Sequence, residues 1–169
     1  PSPMLDAIEP AAMRLGRFVA ETGWGDLTPA LRHEAKRSVL NFMGCALGSA
    51  RDPAIDQAVA VLAPLSGRRD AGLIGRPERL DIANAAFVNA VAGNLLDYDD
   101  THLATVIHPT APVFPAVLAL AEARGHTGAE MLLAFVLGAE VECRIGSSVS
   151  PGHYDRGWHI TATCGVFGA

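Results

Sequence analysis

The fold is decided by the stretch DIANAAFVNAVAGNLL, residues 81–96, in which small and apolar residues predominate. Asp81 is a favourable N-cap, because its side-chain oxygen can accept a hydrogen bond from the first N–H groups of a helix. The pattern therefore predicts a helix over residues 82–96. A helix that is apolar on most sides is typically buried within a larger helical assembly. This helix leads directly into the polar residue Asp97.

Other segments show the same helical character. Apolar residues at three- and four-residue spacing predict further helices, which we place at residues 4–22, 29–48, 54–65, 110–124 and 129–146, with another beginning at Ile160. Start signals support several of them, namely Thr28 before Pro29, Asp52 before Pro53, and Thr127 with Glu130. Residues 71–75 are too short and too rich in glycine for a confident strand, and residues 147–157 are expected to form a loop. The predicted fold class is all-α.

The second of these helices has a recognisable buried side. Its periodic apolar and small residues are Leu31, Ala35, Val39, Phe42, Cys45 and Ala46. Gly44 and Gly48 are four residues apart, and we expect them to let another helix approach closely.

Composition excludes several classes of protein. The chain of 169 residues carries 13 Lys or Arg and 18 Asp or Glu, a net charge of −5 that argues against nucleic-acid binding. No apolar stretch reaches the roughly 18 residues of a membrane span, so no membrane association is expected. The N-terminus lacks the basic and apolar regions of a signal peptide, which predicts a cytoplasmic protein.

The three cysteines, Cys45, Cys143 and Cys164, are far apart and odd in number. No C-x-x-C pair is present, so a structural zinc site is not expected. We interpret them as reduced thiols in helical, largely apolar surroundings.

Two polar segments interrupt the apolar pattern. Residues 97–109 contain three carboxylates, two hydroxyls, a phenol and two imidazoles, and residues 153–159 contain two more imidazoles with Tyr154, Asp155 and Arg156. We predict that the two segments meet in space and form half of an active site.

Asp97 and Thr101 are four residues apart, so they share a helical face if the helix continues that far. Asp97 follows a long apolar run and is predicted to be partly buried, which would suit it to proton transfer or to orienting a histidine. The alternative is a carboxylate that caps the next turn.

His108 and His159 are the candidate acid and base. His108 precedes Pro109, which disfavours helical geometry and leaves the imidazole in an extended loop. His159 precedes a helix start, where it could help the helix N-terminus to bind a substrate carboxylate. The alternatives are a His108 bonded to backbone and a His159 packed against Trp158.

Two further features have alternative interpretations. Arg156 could pair with a substrate carboxylate, or bridge to Asp155 or Glu142 on the surface. A metal site is conceivable from Asp99, Asp100, His102 and His108, but the spacing matches no known pattern. The carboxylates lack the glycine and the spacing of an EF-hand, and no phosphate-binding loop or G-x-S-x-G motif is present.

In combination, four motifs resemble the MmgE/PrpD family: GRPER (75–79), LDYDDTH (96–102), HPTAP (108–112) and GWHIT (157–161). The family includes 2-methylcitrate dehydratase, cis-aconitate decarboxylase and iminodisuccinate epimerase. The resemblance implies a large all-helical domain with a smaller α/β lid, in a homodimer, without a metal or organic cofactor. Residues 1–169 would be the N-terminal part of the helical domain, with the lid and the remainder absent.

The resemblance places Asp97, Thr101, His108 and His159 on the family's active-site positions, whereas its active-site lysines would lie beyond Ala169. It implies a cofactor-independent lyase for a small di- or tricarboxylate, with 2-methylcitrate dehydration as the first expectation. Cis-aconitate decarboxylation, iminodisuccinate epimerisation and a non-catalytic helical scaffold or dimerisation module stay open. Asn94 stands where many relatives have His, which leaves the substrate undecided. The apolar end at residues 166–169 suggests that the native chain continues, and the fragment alone is expected to be inactive.

Overall fold

The computed structural model describes residues 9–169. This part of the chain is all-α, as predicted, and contains eight α-helices: α1 (Ala11–Glu21), α2 (Pro29–Ser49), α3 (Pro53–Leu62), α4 (Ile82–Asn94), α5 (Thr110–Arg124), α6 (Gly128–Val149), α7 (Gly152–Asp155) and α8 (Ile160–Gly168). A 3-10 turn, Trp24–Asp26, precedes α2. The strands β1 (Ala71–Gly72) and β2 (Arg79–Leu80) form one short antiparallel pair. Among the helices of residues 9–169, none is long and apolar enough to cross a membrane.

Helix α4 packs against α2, α3 and α5, and α5 packs in turn against α6 and α8. Three buried rings, which we call the aromatic core, join these helices: Phe42 of α2, Phe114 of α5 and Phe135 of α6. The ring of Phe114 meets those of Phe42 and Phe135 edge to face, with centroids 5.5 and 5.7 Å apart. Phe42 lies over Gly93 of α4, where a Cβ would come within 2.0 Å of its ring. The small residues of α4 therefore permit the close approach of α2.

The predicted start signals are confirmed. Each cap side chain accepts a hydrogen bond from a backbone N–H in the first turn of its helix: Thr28 from Leu31, Asp52 from Ala54, Asp81 from Asn84 and Thr127 from Glu130. These local bonds satisfy N–H groups that have no partner within the helix.

The GRPER motif connects neighbouring elements through the side chain of Arg76. The Arg76 side chain is only 6% exposed and binds the carboxylates of Asp56 (2.6 Å) and Glu78 (2.9 Å). It also donates to the carbonyl oxygen of Ala50 at 2.8 Å. Gly75 has φ of 73°, and a Cβ there would lie 2.8 Å from that of Ala50. The motif thus ties the turn between β1 and β2 to α3 and to the end of α2.

Several predicted helix boundaries were wrong. Residues 9 and 10 were predicted to be helical but lie outside α1, which begins at Ala11, because Pro10 cannot continue a helix and restricts the residue before it. The predicted start at residue 4 lies outside the described residues. Helix α3 ends at Leu62 instead of residue 65, and α4 ends at Asn94 instead of residue 96. Helix α6 continues to Val149, and α7 occupies part of the predicted loop.

The side chains of α2 and the cysteines mostly follow the predictions. Leu31 is 48% exposed, so its predicted burial was wrong, whereas Ala35, Phe42, Cys45 and Ala46 are buried. Gly48 lies close to Leu96, but a Cβ at Gly44 would meet nothing within 4 Å in the described part of the chain. The cysteines are free thiols, as predicted, with Cys45 and Cys164 buried and Cys143 partly buried.

Candidate active site

Residues 95–109, which we call the site loop, connect α4 to α5 and fold back on themselves. The His102 N–H donates to the carbonyl of Ile107 at 2.7 Å, and the Thr105 N–H donates to the carbonyl of His102 at 3.0 Å. Ile107 is fully buried against Gly146 of α6, where a Cβ would lie 2.2 Å from its Cδ1. The far side of the loop is thereby fixed to α6, and His108 follows this anchor directly.

The backbone determines which nitrogen of His108 carries the proton. Its Nδ1 lies 3.1 Å from the carbonyl oxygen of Asp100 and 3.4 Å from Oγ1 of Thr101. A carbonyl oxygen can only accept, so Nδ1 is the donor and Nε2 of the neutral ring holds a free lone pair. The side chain is 21% exposed. This backbone bond is the alternative expected for a loop histidine, and it also leaves Nε2 able to accept a proton.

Asp99 is the carboxylate nearest to His108. Its side chain is fully buried, and its Oδ2 lies 3.6 Å from Nδ1 of His108. The same Oδ2 accepts a hydrogen bond from Nδ2 of Asn94, the last residue of α4, at 3.0 Å. Within residues 9–169, the other carboxylate oxygen, Oδ1, is buried without a hydrogen-bond partner.

Asp97 lies in a different environment from the predicted one. Because α4 ends at Asn94, Asp97 and Thr101 do not share a helical face. Asp97 is exposed rather than partly buried, and its φ of 56° places it in the left-handed region that Asp tolerates better than most residues. Its N–H donates to the carbonyl of Asn94 at 2.9 Å. The catalytic assignment of Asp97 stays a prediction.

His159 is the N-cap of α8 and is exposed. Its Nδ1 accepts a hydrogen bond from the N–H of Ala162 at 3.3 Å, so the neutral ring carries its proton on Nε2. The N–H of Ala162 is therefore already bonded to His159. The expected packing partner, Trp158, instead stacks on His153, with ring centroids 6.1 Å apart.

The first polar segment contacts the first turn of α8, the helix that follows the second segment. The backbone N–H of His108 donates to Oγ1 of Thr161 at 3.0 Å, and Thr161 is buried. Beneath this bond, Ile107 and Ile160 belong to one buried cluster with Cys164. Residues 97–109 thus pack against the helix that directly follows residues 153–159, and the meeting of the two segments themselves stays a prediction.

Two more acids are Asp100, within the site loop, and Glu142, on α6. Asp100 accepts hydrogen bonds from the backbone N–H of Thr110 (3.2 Å) and from its hydroxyl, at the start of α5. Glu142 of α6, expected at the surface, is fully buried, and its carboxyl oxygens have no partner within residues 9–169. Burial, and secondarily the charge of Asp100, raises the pKa of Glu142 to about 8. Glu142 is therefore mainly protonated at neutral pH. Arg156 is exposed and forms no ion pair in the described residues.

The histidine rings, the acids and the thiols of this region differ in the chemistry they can support. In the described part of the chain, no group of three or more His, Cys, Asp or Glu side chains could hold a metal ion. Burial, together with nearby acids, raises the pKa of the Cys143 thiol to about 12, which makes it a poor nucleophile at neutral pH. The two candidate histidines present opposite groups on Nε2, a lone pair on His108 and an N–H on His159.

A comparison with protein families identifies the family of the chain. The family model of the MmgE/PrpD N-terminal domain matches residues 13–169, which is nearly the whole chain. The chain belongs to the MmgE/PrpD family. All four motifs that carry the resemblance lie within the matched residues, and so does the whole site loop.

Curated relatives of this MmgE/PrpD chain have an assigned activity. Cis-aconitate decarboxylase from Mus musculus is 34% identical over 125 residues, which cover 70% of the chain and 25% of the relative. Cis-aconitate decarboxylase from Homo sapiens is 35% identical over 127 residues, which cover 72% of the chain and 26% of the relative. The chain thus spans about a quarter of the length of these relatives.

Proposed function

We propose that this chain is the N-terminal part of a cofactor-independent lyase that acts on a small di- or tricarboxylate. The observation that carries the proposal is the pair of histidines that hold opposite tautomers. His108 donates from Nδ1 to the carbonyl of Asp100, and His159 accepts at Nδ1 from the N–H of Ala162. One ring thus offers a proton acceptor and the other a proton donor. The independence from cofactors is taken from the family resemblance.

Dehydration requires both groups, because it removes a proton from carbon and protonates the leaving hydroxyl. Decarboxylation breaks a C–C bond, releases carbon dioxide and leaves an electron pair on carbon, so it requires only the proton donor. We assign the acceptor role to Nε2 of His108 and the donor role to Nε2 of His159. Thr101 can donate its hydroxyl proton to a substrate oxygen, because the protonated Nδ1 of His108 does not accept it. Asp97, exposed at the start of the site loop, completes the proposed site.

The substrate proposed first is cis-aconitate. The mouse and human relatives are named cis-aconitate decarboxylase, which favours decarboxylation of an unsaturated tricarboxylate. Dehydration of 2-methylcitrate, the expectation from the family resemblance, is the alternative, and its product is a methylated cis-aconitate. Both reactions act on the same type of carbon skeleton, so a site for one tricarboxylate has the charge pattern needed for the other.

The test uses the full-length protein with cis-aconitate, 2-methylcitrate or iminodisuccinate as the sole substrate, followed by proton NMR of the products. We expect turnover of a tricarboxylate without added metal or cofactor, and release of carbon dioxide if the substrate is cis-aconitate. Epimerisation of iminodisuccinate alone would contradict the lyase assignment. No turnover of any of the three would favour the non-catalytic scaffold, and light scattering would then test the expected homodimer.

A further inference from the structure

The burial of Asp99 requires an explanation. A carboxylate removed from water is costly unless hydrogen bonds or a nearby cation compensate. Asp99 receives one hydrogen bond, from Asn94, and its Oδ1 has no partner in residues 9–169. Among those residues, no Lys or Arg forms an ion pair with it, and His108 is its partner at 3.6 Å. The charge of Asp99 is therefore best compensated when His108 is an imidazolium.

The carboxylate of Asp99 and the backbone carbonyl of Asp100 act on His108 in different ways. At 3.6 Å, Oδ2 of Asp99 is too far from Nδ1 of His108 for a good hydrogen bond, whereas the carbonyl of Asp100 is at 3.1 Å. The carbonyl therefore determines the tautomer. The carboxylate acts through its charge, which is screened little because its side chain is fully buried.

We propose that Asp99 is a positioning residue for His108, whose buried charge stabilises the imidazolium that forms when Nε2 of His108 accepts a proton. The inference rests on the proposed function and concerns its dehydration reaction. There a proton moves from a substrate carbon to Nε2 of His108 while the C–O bond breaks and the leaving hydroxyl takes a proton from Nε2 of His159. The ring of His108 therefore changes from neutral to +1 beside the carboxylate of Asp99. Asn94 holds Oδ2 beside the ring through its hydrogen bond at 3.0 Å.

The other acids are less suited to this role. Asp100 is occupied at both carboxylate oxygens by Thr110. Glu142 on α6 is mainly neutral at pH 7, because burial raises its pKa. Asp97 is exposed, so water and salt screen its charge.

The first test is Asp99→Asn in the full-length protein, assayed on the dehydration of 2-methylcitrate, the proposed reaction in which His108 accepts a proton. The amide preserves the shape and can still accept from Asn94, but it lacks the charge. We expect kcat to fall about 10- to 100-fold while KM changes less than about twofold, because Asp99 acts through His108 and the charge matters most in the transition state. Asp70→Asn is the matched control, since it removes a carboxylate from a surface ion pair with Arg68. Its kcat should equal that of the wild type.

The second test does not depend on turnover. In protein with ¹⁵N-labelled histidine, assigned with His108→Gln, we expect the proton of the neutral His108 ring to remain on Nδ1 in Asp99→Asn. We also expect this ring to take up its second proton at a lower pH than in the wild type. Asp100 and Glu142, the other acids near the ring, are unchanged in this comparison, so the difference reports on Asp99.

A third test exchanges the amide and the carboxylate between positions 94 and 99. The double variant Asn94→Asp with Asp99→Asn retains one amide, one carboxylate and the hydrogen bond between them, and moves the charge to the end of α4. We expect it to recover part of the lost kcat. The proposal is overturned if Asp99→Asn leaves both kcat and the pH of ring protonation unchanged. It is also overturned if Asp99→Asn lowers kcat, raises KM and lowers the melting temperature, and the double variant recovers none of the lost kcat. If the wild type converts no substrate, the proposed function fails. In that case, or if the wild type only decarboxylates cis-aconitate, ring protonation decides the role of Asp99.

Discussion

The aromatic core and the site loop differ in the kinds of side chain that they bury. Phe42, Phe114 and Phe135 are apolar, fully buried and in favourable edge-to-face contact. The site loop contains the buried carboxylate of Asp99, which has an unpartnered oxygen in the described structure. It also contains Val106, a β-branched residue with φ of 53°. The core stabilises the fold, whereas the loop contains a buried carboxylate and a strained backbone conformation that each cost free energy of folding.

The largest stability effect is expected for Phe42→Ala. The ring is fully buried between α4 and Phe114, so its removal leaves a cavity and should cost about 3–5 kcal/mol in the free energy of unfolding. Urea denaturation of the full-length protein measures this loss. At 25 °C the folded variant should retain the kcat of the wild type. A loss below about 1 kcal/mol would contradict the role given to the aromatic core.

The next effect depends on pH and concerns Glu142, whose pKa is raised from 4.5 to about 8. The unfolded state loses this proton near pH 4.5, whereas the folded state retains it to about pH 8. The contribution of Glu142 to the free energy of unfolding therefore decreases as the pH rises from 4.5 to 8. Glu142→Gln should therefore gain stability relative to the wild type as the pH rises, by up to roughly 4 kcal/mol. Urea denaturation of both proteins at pH 5, 6.5 and 8 measures the difference in their free energies of unfolding. A difference that is the same at the three pH values would contradict the burial of Glu142.

Two glycines provide a matched comparison of intermediate size. Gly93→Ala places a methyl group against the ring of Phe42 and should destabilise by about 1–3 kcal/mol. Gly44→Ala meets no atom within 4 Å in the described structure and should stabilise by about 0.5–1 kcal/mol through helix propensity. Thermal unfolding of both variants measures the difference. Equal shifts would show that α2 and α4 do not approach as closely as described.

The smallest effect is expected for Val106→Asn in the site loop. Val106 is 48% exposed and has a positive φ that a β-branched side chain tolerates poorly. Asn tolerates this conformation, so the variant should gain about 1 kcal/mol in unfolding free energy. Asp97→Asn is the control, because Asp already tolerates its positive φ and should change stability little. A loss of stability in Val106→Asn would show that the side chain packs better than its exposure indicates.

The helices were predictable because their signals are local. Thr28, Asp52, Asp81 and Thr127 each bond within three residues, so sequence spacing alone identifies them. The buried position of Glu142 was also readable, because Gly138 and Gly146 lie four residues before and after it on the same helical face. It was missed because a charged residue was assumed to face solvent.

The partner of His108 was not predictable in the same way. Spacing suggested that Asp97 would orient a histidine, but the carboxylate beside His108 belongs to Asp99. That pairing depends on the reversal of the site loop between His102 and Ile107, which Ile107 fixes by packing against α6. Such a contact depends on tertiary structure, and no local periodicity encodes it.

We propose that the site loop performs the chemistry while the aromatic core stabilises the fold. The most direct measurement is kcat/KM together with the melting temperature of full-length His108→Gln, beside His126→Gln, which changes an exposed histidine between α5 and α6. We predict a fall of about 10²- to 10⁴-fold for His108→Gln and none for His126→Gln, with both melting temperatures close to that of the wild type. Wild-type kcat/KM in His108→Gln would contradict the claim, and a collapsed melting temperature would assign His108 to the fold instead.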